Sequence, residues 1–422
     1  MEEKRMTKSG IPVYSYLNPA VHGFCLSLYV RAGSLYETES QSGETHLIEH
    51  MVFRNINHRM QGEMYPMLDR CGLSFNAETY KEFVQFYIVG AKEHFADAVT
   101  VFSHLFDPML LPRELILPEK LRIKSEIRES NEATSLDYFS DGIVWGRTSL
   151  ARSILGRAGT LDKMGSSYLA DAAKRIFSKQ NLFFYVTGSV SEGDLDRFCA
   201  ALTDPVSEDC ELRDNTAPLP ERFGDRPREV FVKNSDETVV RFSFDFNPER
   251  YTNAELMLLY DILFYGECGK VYRELSDKTG LVYSFDPCME RYRNAGVLHL
   301  KYEVRPGNLE RSVQIVCNIL RALKEGLTDE LEYVRPLYLD NSGLLFDNVE
   351  EFNWNRAYEV HILDCPYPDH TARKEAFASV SAERISELAR EIFCTCNLTL
   401  AIKGRKKQIN REKLLEITQI LE

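Results

Sequence analysis

An internal repeat constrains this chain more than any other feature. Ile176-Phe177, Asn181-Leu182, an apolar run from Phe183 to Val186, and Gly188 recur as Ile392-Phe393, Asn397-Leu398, Leu400 to Ile402, and Gly404, all displaced by 216 residues. In a chain of 422 residues that displacement is about half the length, so the sequence reads as a duplication. Each copy has the pattern of a helix end running into a strand and a turn, followed by another charged helical segment. A second match, Leu68 to Phe75 against Leu275 to Tyr283, has a slightly different offset, as a small insertion or deletion would produce. Between the halves lies Ser207 to Arg228, polar and carrying Pro218, Pro220 and Pro227, the composition of an exposed linker. The expected organisation is a first domain over 1–206, a linker over 207–228 and a homologous second domain over 229–422.

Within each half, Phe24 to Val30, Phe83 to Val89 and Val239 to Phe246 alternate like strands of a sheet with one covered face. Ala254 to Phe264 and Leu309 to Leu323 carry the 3.6-residue period of helices. Strands follow one another through hairpins as often as through helices. The pattern therefore predicts an α+β fold in each half, helices packed on one face of a mainly antiparallel sheet.

Composition narrows the function. Fifty-one Lys and Arg against 64 Asp and Glu leave a net charge of -13, which gives nucleic acid or an anionic membrane no basic surface to bind. No stretch approaches the roughly 18 uninterrupted apolar residues of a membrane span, and Met1 to Ser9 is too charged for a signal peptide, so a cytoplasmic protein is expected. The ten cysteines lack framework spacing and read as reduced thiols. Cys394 and Cys396 form a lone CxC with no further ligands evident nearby, for which core packing is the simpler reading.

One motif carries chemistry. Ser42 is a plausible N-cap, followed by an apolar stripe of Leu47, Ile48, Met51 and Val52 at helical spacing. His46, Glu49 and His50 lie beside that stripe. Residues i and i+4 stack on one helix face, so both imidazoles can converge on one ion, with Glu49 close by. This is HxxEH, the reversed zincin pattern, which supplies two nitrogen ligands and a carboxylate base. The competing reading is a pair of solvated histidines on an exposed helix face. A peptidase needs a third ligand, and downstream Pro118 opens a predicted helix with apolar positions Leu121, Ile123 and Ile127. Its polar face carries Glu119, Arg122, Glu126 and Glu129, and residue pattern alone does not choose among Glu126, Glu129 and Glu132 as a ligand.

With these residues in view, the chain resembles the pitrilysin, insulin-degrading enzyme and mitochondrial processing peptidase family of zinc peptidases, over essentially its whole length. The segment Gly43 to Phe53, GETHLIEHMVF, is similar to the family's zinc helix. The resemblance implies Zn2+ held by His46, His50 and Glu126, with Glu49 as general base and Glu119 supporting a ligand imidazole. Asn76-Ala77-Glu78-Thr79 resembles the family's edge strand, where a peptide substrate adds as an extra strand. Asn76, Ala77 and Thr79 are then expected to bind substrate. The second half has no HxxEH, and Ala254 to Gly266, at the corresponding helix, reads as packing. Its Gly280-Leu281-Val282-Tyr283 matches the family's tyrosine segment, which implies that Tyr283 stabilises the oxyanion. The arginine that the family places seven residues earlier is Ser276 here, and serine gives no charged bidentate grip.

The resemblance thus implies a zinc metalloendopeptidase of two similar halves forming a clamshell-like chamber, acting on peptides or flexible precursor segments. The expected assembly is a homodimer or a heterodimer with a related chain. The alternative is a catalytically weak or silent peptide-binding or scaffold subunit that needs a partner chain.

Overall fold

The computed structural model describes residues 2–202, 212–226, 228–327 and 329–422. Six strands form one sheet: β1 (Glu3–Met6), β2 (Pro12–Leu17), β3 (Gly23–Val30), β4 (Ser74–Thr79), β5 (Val84–Ala91) and β6 (Leu182–Gly188). Their order is β1-β2-β6-β3-β5-β4, with β2 and β6 parallel and every other pair antiparallel. Five strands form the other: β7 (Val230–Asn234), β8 (Val239–Phe246), β9 (Phe285–Arg291), β10 (Gly296–Glu303) and β11 (Leu398–Gly404). Their order is β7-β11-β8-β10-β9, again with one parallel pair, β7 with β11. With β1 set aside the two orders are the same, which is the duplication in three dimensions. The repeated sequence lies on helix Ser166–Ile176 and β6 in one copy and on helix Ala382–Ile392 and β11 in the other. The fold is α+β, two mainly antiparallel sheets carrying helices.

The chain groups into two compact units, and neither is one continuous half. The first comprises Met1–Ser130, Arg152–Asn215 and Gly343–Asp369, and the second Asn131–Ala151, Thr216–Ser342 and His370–Glu422. Each unit therefore includes a helical segment from the opposite half of the sequence. Of the expected linker, residues 207–211 and 227 lie outside the described residues. The rest is mostly exposed, as its composition suggests, but Asn215, Ala217 and Arg226 are buried. Polar contacts explain this: Asn215 donates to Glu82, Asn294 brackets the Ala217 backbone, and Arg226 pairs with buried Asp245 at 3.1 Å.

Alternation along β3 shows how the first unit is layered. Phe24, Leu26, Leu28 and Val30 enter the main core with the helices, while Tyr29 faces the other side of the sheet. The opposite side is covered too, by helix Val349–Arg356. A sheet with one covered face predicts solvent there, yet β3 is buried almost throughout. The interface is an aromatic cluster, Tyr29, Phe83, Phe183 and Tyr185 packed with Ala357 and Ile362, and beside it lies the fully buried polar side chain of Asn353. Its Oδ1 accepts from Tyr29 Oη at 3.0 Å, and its Nδ2 donates to the carbonyls of Tyr185 at 3.0 Å and Cys25 at 3.3 Å. The second unit repeats the arrangement with helix Leu136–Val144 over β8 and β11, where Arg241 pairs with Asp141 at 3.0 Å.

Because Asn353 satisfies buried backbone and hydroxyl groups that have no water to fall back on, Asn353→Ala is expected to destabilise the protein by about 2–3 kcal/mol. Urea unfolding measures it, and a loss below about 0.5 kcal/mol would contradict that role for Asn353.

Candidate metal centre

The HxxEH motif sits at the start of helix Glu44–Arg59, whose buried face, Leu47, Ile48, Met51, Val52 and Ile56, joins the core of the first unit. Ser42 does not cap this helix. The N-cap is Gly43, at φ +86°, and the buried carboxylate of Glu37 accepts from the backbone N–H groups of Gly43 at 2.9 Å and Thr45 at 2.8 Å. A carboxylate bonded to two orphan donors, at the positive end of the helix dipole, replaces the expected serine cap. A side chain at Gly43 has no space: its Cβ would stand 2.9 Å from Cα of Gly156 and from the Leu155 carbonyl.

The two imidazoles lie with centroids 4.7 Å apart and planes at 80°. Helix Arg113–Glu129 packs beside them and supplies the carboxylates. It begins before Pro118, which is an interior residue of this helix and not its first, and Leu121 on it is exposed where packing was expected. One oxygen of Glu126 stands 3.8 Å from Nε2 of His46 and 3.8 Å from Nε2 of His50. Glu129 is exposed on the same helix, and Glu132 belongs to the second unit.

Glu119 is almost fully buried and lies behind His50, with Oε2 3.0 Å from Nδ1. Arg54 donates from Nε to its other oxygen at 2.6 Å, and Arg122 lies 3.3 Å away. Burial alone would raise the Glu119 pKa. The hydrogen bonds with His50 and Arg54 and the two guanidinium charges outweigh it, so the carboxyl titrates below its ordinary value. An ionised Glu119 accepts Nδ1–H of His50 and leaves Nε2 with its lone pair directed at Glu126. Arg54 was missed from sequence, although it stands four residues after His50 on the same helix face. Burial, and then the neighbouring His50, push His46 down to about 4, so its ring is neutral at pH 7, the form that binds metal.

Glu49 is also buried, and donor atoms of His46, Glu49 and His50 lie within 4.8 Å of one another. Burial pushes its carboxyl above the ordinary range, against the hydrogen bond that Thr79 Oγ1 donates to Oε2 at 2.5 Å. Thr79 ends β4, the edge strand of the sheet, paired to β5 alone. Its hydroxyl is thus committed to Glu49, Asn76 donates to Ser74 Oγ at 3.0 Å, and Ala77 packs against the core. What β4 leaves open is its outer backbone edge. Tyr283 lies in the second unit and is 97 % exposed, and Ser276 lies in the π-helix Tyr272–Asp277. Lys278, a neighbouring cation, pairs with Glu274 at 2.7 Å.

Comparison with known proteins supplies a family. Residues 14–157 match the model for insulinase, peptidase family M16, and residues 166–334 match the model for the peptidase M16 inactive domain. An uncharacterized zinc protease of Bacillus subtilis, YmxG, is 26% identical over 193 residues, 45% of this chain and 47% of that protein. The mitochondrial-processing peptidase subunit beta of Rattus norvegicus is 24% identical over 222 residues, 48% of this chain and 45% of its own. These alignments span about half the length of the curated relatives. Among solved structures, a protease from Helicobacter pylori superposes with a TM-score of 0.84 at 16% identity, covering 96% of this chain and 99% of that one. The first half of the Escherichia coli periplasmic protease PqqL superposes at 0.78 and 13% identity, covering 100% and 96%.

Proposed function

The chain belongs to peptidase family M16, and on that premise we propose that it is a zinc-dependent endopeptidase cutting peptides or flexible precursor segments. The observation that carries the reading is the single Glu126 oxygen equidistant from both imidazole Nε2 atoms, on a helix remote in sequence from theirs. The donor set fits zinc: two imidazole nitrogens, one carboxylate, and a second carboxylate, Glu119, that orients a ligand without being one.

His46, His50 and Glu126 would hold the ion. When bound there, zinc supplies Lewis-acid activation of water and of the scissile carbonyl. Glu49 is the base: with Oε2 occupied by Thr79, its other oxygen is available to take the proton of the attacking water and pass it to the leaving amine. Burial raises its pKa above the ordinary carboxylate range, the direction that makes it a better proton acceptor. The peptide would lie along the outer edge of β4, held by main-chain hydrogen bonds, which selects extended segments over folded ones. Tyr283 enters this reading from the resemblance alone, as the oxyanion donor.

Glu49→Gln is expected to keep zinc and lose peptidase activity, since the amide preserves shape and removes the base. His50→Ala and Glu126→Ala are expected to lose zinc and Glu129→Ala to keep it. Zinc content and mass-spectrometric digestion of unstructured peptides, with and without chelator, read both. Normal turnover by Glu49→Gln would end the proposed role of that residue.

A second reading is favoured by Ser276. A metal-bearing chain without the family's arginine is suited to divided labour, in which a related chain supplies the arginine and tyrosine, and one relative is named as a subunit. On this reading Ser276→Arg, or addition of an arginine-bearing partner chain, raises turnover of the isolated chain at least several-fold. Full activity of the chain alone, unchanged by either, contradicts it.

A further inference from the structure

We propose that His299, Glu290 and Asp141 form a second site for a divalent transition-metal ion, zinc by its donor chemistry, in the second unit. The three residues come from β10, β9 and helix Leu136–Val144, and one donor atom of each lies within 4.8 Å of the others. The decisive group is His299. It is 2% exposed at the middle of β10, and its Nε2 is buried with no hydrogen-bond partner. Glu290 Oε1 faces that nitrogen at 3.7 Å, too far for a hydrogen bond. Donors around a tetrahedral zinc with bonds of about 2.1 Å stand about 3.4 Å apart, so a small inward movement closes the site. In the same structure the Glu126 oxygen stands 3.8 Å from Nε2 of His46 and 3.8 Å from Nε2 of His50.

Each candidate ligand is also held from behind. Nδ1 of His299 lies 2.8 Å from Ser243 Oγ, which is itself 3.3 Å from Ser140 Oγ. With Nδ1–H donating to the serine, Nε2 presents its lone pair. Tyr292 Oη donates to the second oxygen of Glu290 at 2.9 Å, and Arg241 holds Asp141 at 3.0 Å. The neighbouring cations are matched by carboxylates outside the set: Arg241 also meets Asp137 at 3.4 Å, and Lys301 meets Asp137 at 2.6 Å and Asp286 at 2.8 Å. Two carboxylates and a neutral imidazole, ordered by a hydroxyl, a phenol and a guanidinium, are a donor set for zinc or a similar ion.

The site has a structural consequence. Asp141 lies in the segment Asn131–Ala151, contributed by the first half of the sequence, whereas Glu290 and His299 belong to the second half. A metal bound here pins the exchanged helix to its sheet across a long stretch of chain. This inference does not depend on the first site.

The test uses the full chain carrying His46→Ala and His50→Ala, loaded with zinc and dialysed. Elemental analysis should find one zinc per chain, and adding Glu290→Gln or His299→Gln should bring it near zero. Glu290 is partly exposed, so its amide variant keeps the test open if His299→Gln fails to fold. Chelator should lower the thermal midpoint of the doubly substituted chain and leave that of the Glu290→Gln derivative unchanged. Zinc near zero before Glu290→Gln is added, or zinc unaffected by it, overturns the proposal. If the first site binds no metal, the unsubstituted chain will hold the same amount as the doubly substituted one, which separates the two claims.

Discussion

A buried carboxylate must be paired, and the pairing of Glu119 sets the geometry of the centre. The hydrogen bond with His50 and two guanidiniums hold it ionised; that bond in turn orients the His50 ring, which turns the same atom toward Glu126 that His46 does. Burial alone would favour the protonated acid; the hydrogen bond with His50 and then the Arg54 and Arg122 guanidiniums oppose it. The same logic recurs at the start of the helix, where Glu37 is buried against two backbone N–H groups and fixes where the motif begins. The helix carrying HxxEH is thus positioned by carboxylates outside the motif as much as by its apolar stripe.

Much of the architecture was legible because it rests on local pattern. Val239 to Phe246 is strand β8 with the predicted bounds, and Leu309 to Leu323 falls within helix Leu309–Glu325. The repeat predicted the helix-to-strand step at both sites, since those residues face the same kind of core twice. The exchanged segments were not legible: helix Val349–Arg356 is short with little apolar asymmetry, and the layer it belongs to joins the Asn353 hydrogen bonds to an aromatic cluster assembled from distant strands with Ala357 and Ile362. A short helix with little apolar asymmetry leaves no periodicity to read. Ser42 and Pro118 misled for a related reason, since a distant carboxylate can cap a helix and a proline can sit inside one when tertiary packing outweighs the lost hydrogen bond.

At the site, spacing alone found His46, Glu49 and His50, because a helix brings i and i+4 together without help from the rest of the chain. The third carboxylate was beyond that argument. Glu126 and Glu129 are both polar residues of one helix, and only the packing of that helix against the first makes them different, one beside the imidazoles and one exposed. The duplication then separates the chemistry of the halves: the second copy fills the position of the HxxEH helix with Asn253–Phe264, whose Leu256, Leu258, Leu259 and Phe264 are buried as packing.

The most direct measurement is an anomalous difference map at the zinc absorption edge from crystals of zinc-loaded protein. The account predicts a peak about 2.0–2.2 Å from Nε2 of His46, Nε2 of His50 and a carboxylate oxygen of Glu126, with Glu119 on His50 and outside bonding distance. A zinc peak ligated by a different carboxylate, or none at these two histidines, would contradict it.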